Sequence, residues 1–530
     1  MARLRFIPGI LLFAATLRPS LATKRNLAVD IQTDIMANQL SDLSFKRIRI
    51  TAQDIDRLYP VLAAYIQNPT LAWTVTELVI DANSWPSQQC HSWHTPVQAP
   101  TPAPGPNEVA AHAQIETYIN TLGLSNDVTT SMLQSLSWKF NNQPPSSPPN
   151  NYGPNPKSTR GFASAASTLL LSLCPNITLL HAFDLENNLP IRDFLLRNNY
   201  GRLPTPHLQR LEQVHMQSWN PDDERYYDRL EFLDYFRFFG RLPAMRTYSA
   251  EAMVEYQVER EIAPPGSSES ITKIRITNSD VSADLVGTMI RIPRALEEFT
   301  LSMGGLSHTK GGGPVVNPKT LGKCLLEQKG TLKVLDLDVA CFLGGLREER
   351  EEEMEEEDEE DDGEDDYVKD EYFRLDEQAG NGKPLRSFDL PNTRRYGLTI
   401  GSLHDFEALE HLAISVRLMV GPVVFDDGFS GTEGKTVIPP FRLVDGLPRN
   451  LKSLHLYDYV VGECPLADEH VGELKSKMAE RFPFLTEVKG LDEPLIKNSK
   501  YNEWSGDDEE DPSEVVAMRE NNRGLDWEFA

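Results

Sequence analysis

Long apolar runs, paired cysteines and a compensating basic charge are all scarce in this 530-residue chain. After the N-terminal segment no stretch of 18 uninterrupted apolar residues occurs, so no membrane-spanning helix is expected. The five cysteines, Cys90, Cys174, Cys324, Cys341 and Cys464, are odd in number and far apart. A small secreted scaffold uses clustered pairs, so these read as thiols of a reducing compartment, with Cys174 and Cys324 inside apolar patterns. Basic residues number 52 against 79 acids, and no basic patch stands out that could neutralise phosphates. Nucleic acid is therefore not expected as a primary ligand. The net charge of −27 is also uneven: residues 347–371 hold eighteen acids against three bases, more than half of the excess.

What the chain does have is repetition. A pattern of apolar, two variable, apolar, one variable, apolar recurs along it. It reads VTELVI at Val75–Ile80, ITKIRI at Ile271–Ile276, LEEFTL at Leu296–Leu301 and LKVLDL at Leu332–Leu337. It returns as LRSFDL at Leu385–Leu390, LEHLAI at Leu409–Ile414 and LKSLHL at Leu451–Leu456. Weaker copies are ITLLHA at Ile177–Ala182, LQRLEQV at Leu208–Val214 and LTEV at Leu485–Val488. The last two apolar positions have the period of a strand, so both point to one face. One copy cannot hide that face, whereas stacked copies can.

Between copies the spacing changes to that of a helix. Ile55, Leu58, Leu62 and Tyr65 form one stripe, and Tyr226, Leu230, Leu233 and Phe236 another. Leu285, Met289 and Ile292, then Leu321, Cys324 and Leu325, then Val471, Leu474 and Met478 form three more. Pro or Gly residues such as Pro293, Gly330 and Pro483 stand just before the strands and end the helices. The expected fold is therefore α/β, an irregular solenoid with a curved parallel sheet inside, helices outside and disordered insertions.

These LxxLxL units resemble the leucine-rich-repeat superfamily. Asn68–Ile80, Cys174–Leu180 and Leu447–Leu456 are similar to the irregular repeats of fungal F-box/leucine-rich-repeat proteins. The likeness implies a substrate-recognition subunit of an SCF-type ubiquitin ligase, not an enzyme, with a Skp-type adaptor subunit held at its N-terminal end and a protein partner on the concave face. Ile7–Val29 resembles a degraded F-box core, and Leu43–Ile50 the strand that follows it. The LPxE start of that element is missing, since Ile7-Pro8-Gly9 stands there. Repeat spacings run from 24 residues to 102, and the Asn or Cys expected after the last Leu is mostly absent.

The reading divides the chain into residues 1–45, signal-peptide-like or degenerate F-box-like, a solenoid at 46–490, and an acidic disordered tail at 491–530. Within the solenoid, residues 95–106 and 143–157 are Pro-rich loops, and 347–383 form an acidic disordered insertion. The expected location is cytoplasmic or nuclear. The alternative is a secreted ligand-binding protein, because residues 1–22 have a basic start, an apolar stretch and small residues at a cleavage site.

Candidate chemistry is thin. Cys90, His91 and His94 lack the fourth ligand of a structural zinc site. GGLSHTKGGG at Gly304–Gly313 has its lysine on the wrong side for a phosphate loop, and Phe425–Gly434 lacks a nucleophile elbow. Asn176-Ile177-Thr178 is the one glycosylation sequon. No catalytic residue, metal or cofactor is expected. The expected partner surface is the concave face, through the variable strand positions Lys273, Arg275, Lys333, Asp336, Asp338, Arg386, Asp389, His411, Lys452, His455 and Tyr457.

Overall fold

The computed structural model describes residues 43–86, 105–141, 155–183, 185, 188–217, 228–230, 232–255, 266–303, 318–339, 372, 375, 396, 399–421, 440–495, 525 and 527–530. Its strands are β1 (Phe45–Ile50), β2 (Glu77–Asp81), β3 (Leu179–Phe183), β4 (Gln213–Gln217), β5 (Asp228–Leu230), β6 (Thr247–Glu251) and β7 (Met253–Glu255). They continue as β8 (Lys273–Thr277), β9 (Glu298–Ser302), β10 (Val334–Asp338), β11 (His411–Ser415), β12 (Ser453–Tyr457), β13 (Glu487–Lys489) and β14 (Glu528–Phe529). Twelve make one open sheet in the order β13-β12-β11-β10-β9-β8-β6-β4-β3-β2-β1-β14, while β5 and β7 pair separately. Every neighbouring pair in the large sheet is parallel except β1 with β14.

One register runs through all the parallel strands. The central apolar residue of each copy sits opposite its neighbour: Ile48, Leu78, Leu180, Val214, Tyr248, Ile274, Phe299, Leu335, Leu412, Leu454 and Val488. From Ile48 to Leu454 each is at most 1% exposed. The apolar residue three positions earlier is buried beside them, as Val75, Ile177, Leu296 and Leu332 are. Each such side chain stabilises the fold by ~1.5–3 kcal/mol when fully buried. Shifting any strand by one residue turns its whole set outward, so the interior itself holds the register.

Helices cover the apolar side. α1 (Ile55–Gln67) buries Ile55, Leu58, Leu62 and Tyr65, the stripe read from the sequence. The long interval between β2 and β3 holds α2 (Pro106–Thr121), α3 (Asn126–Phe140) and α4 (Thr159–Leu173). α4 is buried from Phe162 to Ser172, because α1, α3 and the following α5 (Leu189–Asn199) all pack on it. Further along come α6 (Phe232–Phe239), α7 (Ala283–Arg291), α8 (Pro318–Glu327) and α9 (Pro465–Arg481). Leu285 and Met289, Leu321 and Cys324, and Val471 and Leu474 are their buried residues, as spacing predicted.

Single buried amides brace the helix ends. Gln328 donates through Nε2 to the Ile290 and Pro293 carbonyls, both at 3.1 Å. Its Oε1 accepts from Leu296 N–H at 3.1 Å and Thr331 Oγ1 at 3.3 Å. Asn199 likewise joins the Arg237 carbonyl to the Arg241 N–H. Each amide ties the end of its helix to the end of a neighbouring helix and the turn beyond it, and so satisfies backbone groups that helix ends leave open.

Several expectations need correction. Leu385–Leu390 lies outside the described residues, and β10 pairs with β11. The copy read at Leu208–Val214 is three residues out of register. The buried triple is Leu211, Val214 and Met216, inside the unit that ends in β4. β6 has a copy that spacing alone did not reveal, with Met245, Tyr248 and Ala250 in the apolar places. The stripe from Tyr226 to Phe236 is not one helix, since Asp228–Leu230 is a strand and the helix begins at Phe232. The acidic insertion is not wholly extended: Tyr372 is buried with its ring 5.0 Å from that of Tyr200, and Leu375 packs on the core. Pro106, at the end of the first Pro-rich loop, begins α2. The tail, too, is anchored, by Leu491, which is buried, by a bridge from Leu495 to Tyr457, and by β14. Cys90, His91, His94, residues 304–313 and residues 425–434 lie outside the described residues.

Candidate partner-binding face

Strand alternation sends the remaining side chains to the opposite, partly open face. There the same register lines up two rows. One passes through Arg47, Glu77, Lys273, Glu298 and His411, and the other through Arg49, His181, His215, Arg275, Asp336 and His455. Neighbours in a row are cross-strand pairs, so in the first row Arg47 meets Glu77 and Lys273 meets Glu298.

The first cluster spans β1 to β9. Arg47 Nε lies 2.7 Å from Glu77 Oε1, and His181 Nε2 lies 3.1 Å from the same oxygen. Burial alone would raise the Glu77 pKa. The hydrogen bonds and charges of His181 and Arg47 outweigh it and hold the carboxyl at about 2. The His181 and His215 rings stack with centroids 5.2 Å apart. Burial, then the charges of His181 and Arg275, pushes His215 down to about 4, against the pull of Glu77. Arg275 is more than half exposed and reaches Glu298 only at 3.7 Å, whereas Lys273 makes a close ion pair with that carboxylate. His181, His215, Gln217, Ser249, Arg275 and Leu525 are among the walls of a recess of about 320 Å³.

The second cluster spans β10 to β13. Tyr457 reaches across β11 and donates to Asp336 Oδ1 at 3.0 Å, where β11 presents only Ala413 and Ser415. Burial and the carboxylates of Asp336, Asp338 and Asp458 raise the Tyr457 pKa, so the phenol stays protonated. His411 Nδ1 is 2.9 Å from Ser453 Oγ, and His455 Nε2 is 3.3 Å from Glu487.

The eleven residues expected on this face thus divide. Lys273, Arg275, Asp336, His411, His455 and Tyr457 stand on strands of the open side, though Tyr457 is only 3% exposed. Asp338 is 1% exposed and does not present a contact surface. Lys333 and Lys452 precede their strands and belong to a rim. Along that rim the backbone bonds Glu297–Lys333–Glu410–Lys452 run from carbonyl to amide, and Lys333 pairs with Glu297 at 2.9 Å and Lys452 with Glu410 at 2.7 Å. Arg386 and Asp389 lie outside the described residues. The sequence reading missed Arg47, Glu77, His181 and His215. Aligning the copies on Leu180 and Val214 would have exposed the histidines, because each directly follows its central residue.

At the N-terminal edge β14 pairs with β1, Phe529 opposite Phe45 and Glu528 opposite Arg47. Glu528 meets Lys46 Nζ at 3.0 Å and Arg47 Nη1 at 3.4 Å. The Trp527 ring stands edge-on to Phe45 at 4.7 Å, with the Arg57 guanidinium 4.3 Å from its centroid.

Among the described residues no group of His, Cys, Asp and Glu is arranged to hold a metal ion, and no helix is long and apolar enough to cross a membrane. These features define an open α/β solenoid-like fold with a charged, recessed sheet face. No family model, curated protein or solved structure matches the chain.

Proposed function

We propose that the protein is a non-enzymatic recognition scaffold, an irregular leucine-rich-repeat solenoid that holds a protein partner on its concave sheet face. The observation that carries this reading is the recess among His181, His215 and Arg275, beside the ion pairs Arg47–Glu77 and Lys273–Glu298. Such a face offers a partner many preplaced polar contacts and one pocket for an anchoring side chain. The Tyr59–His112–Glu116 array supports a non-catalytic role. Tyr59 Oη is 2.8 Å from His112 Nδ1, and His112 Nε2 is 3.3 Å from Glu116. Yet burial, then Glu108 and Glu116, raises the Tyr59 pKa, the wrong direction for a nucleophile, and the His112 ring is stacked on Phe140.

In its finer form the proposal makes the chain a substrate-recognition subunit of an SCF-type ubiquitin ligase, on the likeness of its repeats and of Ile7–Val29. The free thiols Cys174, Cys324 and Cys464 support a cytoplasmic or nuclear place. Photo-crosslinking residues at positions 275 and 455, with position 480 on the helical side as control, test the scaffold reading in cells. Crosslinks to one protein from both strand positions and not from position 480 are expected. Equal yields from all three positions would overturn it. Mixing the purified full chain with purified Skp-type subunit tests the finer form, and failure to form a complex would remove it while leaving the scaffold.

A further inference from the structure

A regular sheet leaves a row of unpaired backbone groups at its edge, which natural proteins cover or charge. Here the edge strand β1, FKRIRI, carries three basic residues, and the chain's own last residues cover it. The cover is small. β14 has two residues, and its register shifts between Phe45 and Arg47. One further backbone bond runs from Ala530 N–H to the Ser44 carbonyl at 2.9 Å. Phe529 is 60% exposed, and the Glu528–Lys46 pair is about half exposed, so the pair contributes little. Yet the contacts are chemically specific. Trp527 sits between Phe45 and Arg57, Glu528 between Lys46 and Arg47, and Leu525 reaches the recess beside His181 and Arg275.

We propose that the β1 edge is a strand-docking site for an extended segment of a partner polypeptide, and that Leu525 and residues 527–530 are its resident occupant. The partner it fits has an apolar residue for the recess, an aromatic for Phe45 and Arg57, and a carboxylate one position later for Lys46 and Arg47. Backbone pairing supplies affinity in such strand addition, and side-chain seats supply selectivity. A tethered occupant competes at an effective concentration on the order of millimolar, so a partner enters by displacing it. The site shares the recess with the face proposed above, but its backbone pairing lies on β1, so the peptide measurement below reads it apart from the crosslinks at positions 275 and 455.

The test uses the full chain with the double substitution Trp527→Ala and Glu528→Lys, which disables the resident tail at a partly buried and a half-exposed position. The probe is the fluorescent hexapeptide Leu-Asp-Trp-Glu-Phe-Ala with a free C-terminus, followed by anisotropy. The double variant is expected to bind it at least tenfold more tightly than the unaltered chain. Adding Lys46→Glu and Arg47→Glu to the variant lowers that affinity at least tenfold, and a peptide with Lys in place of its Glu recovers it. Should the double variant unfold, Glu528→Lys alone is used with the same probe. Equal affinity for altered and unaltered chains, absent binding by a folded variant, or indifference to both charge reversals overturns the proposal and leaves β14 a fixed edge cap.

Discussion

The imidazoles of His181 and His215 lie nearly parallel on neighbouring strands, 5.2 Å between centroids and tilted by 16°. Their equivalence follows from the register, since Leu180 faces Val214 and each histidine comes next. They sit differently, however. His181 is bonded to Glu77, whereas His215 lies deeper, facing His181, Arg275 and Glu77 across its own face.

That difference predicts an acid-sensitive sheet face. The folded pKa of His215, about 4, lies below the value of about 6.5 expected of an unfolded chain. Between those values the unfolded chain binds more protons, so stability rises with pH and is lost as pH falls from about 6.5 to about 4. The loss from this one group is up to about 3 kcal/mol. Urea unfolding at pH 7 and pH 4.5 should show a larger fall for the unaltered chain than for His215→Asn. Equal falls in both would mean that His215 is not the buried neutral group described.

Glu77 works in the same direction but in a lower window. Its folded pKa of about 2 lies below the ordinary carboxylate value, so its contribution is full above about 4.5 and disappears as pH falls toward 2. Glu77→Gln keeps the shape but removes the charge that Arg47 and His181 share. A loss of roughly 1.5–3 kcal/mol at pH 7 is expected, the range for hydrogen bonds to charged groups. Thermal unfolding at pH 7 and pH 3 checks it: the deficit should be clear at the first and shrink at the second.

Gln328 offers a cleaner test of the braces between repeats. It is 5% exposed, and both of its polar atoms are engaged, with four partners in all. Gln328→Leu leaves the Leu296 N–H and two carbonyls without that partner in a dry place. Each buried group so abandoned costs about 1–3 kcal/mol, so a total on the order of 3 kcal/mol is expected. The midpoint of urea unfolding should fall with its slope unchanged. A variant as stable as the parent would show that the amide is replaceable by water.

How far the fold could be read beforehand depends on which residues fill the repeating positions. Where Leu, Ile or Val occupies all three, as at Leu332, Leu335 and Leu337, the strand is plain in the sequence and is found where expected. β6 was hidden because Tyr248 and Ala250 fill a slot that pattern matching reserves for branched aliphatics, although an aromatic ring buries as well there. The anchoring of Trp527, Glu528 and Phe529 had no periodic signal at all, because a strand of two residues has no period. The candidate site was partly legible. Lys273, Arg275, Asp336 and His455 follow from alternation alone. The histidine pair does not, since it depends on which copies are neighbours and on correct registration of a copy misread by three residues.

Gly322 sets propensity against packing, and the structure says which wins. It lies inside α8, where alanine is favoured over glycine by about 1 kcal/mol. Its backbone angles are not those that demand glycine, so helix propensity alone recommends Gly322→Ala. A Cβ at that position, however, would stand 2.0 Å from the Ile400 carbonyl oxygen and 2.6 Å from its carbon. Neither neighbour is a flexible side-chain tip. The Ile400 N–H is bonded to the Leu418 carbonyl at 3.0 Å, which fixes the strand of chain that would have to retreat. Overpacking of this kind costs typically 1–3 kcal/mol, and backbone against backbone belongs at the upper end. The substitution should therefore destabilise by about 2 kcal/mol net, read as a lower thermal midpoint, while Gly330→Ala, with nothing within 4 Å, should not. A Gly322→Ala protein melting at or above the parent temperature would show that α8 and the segment at Ile400 do not touch as described.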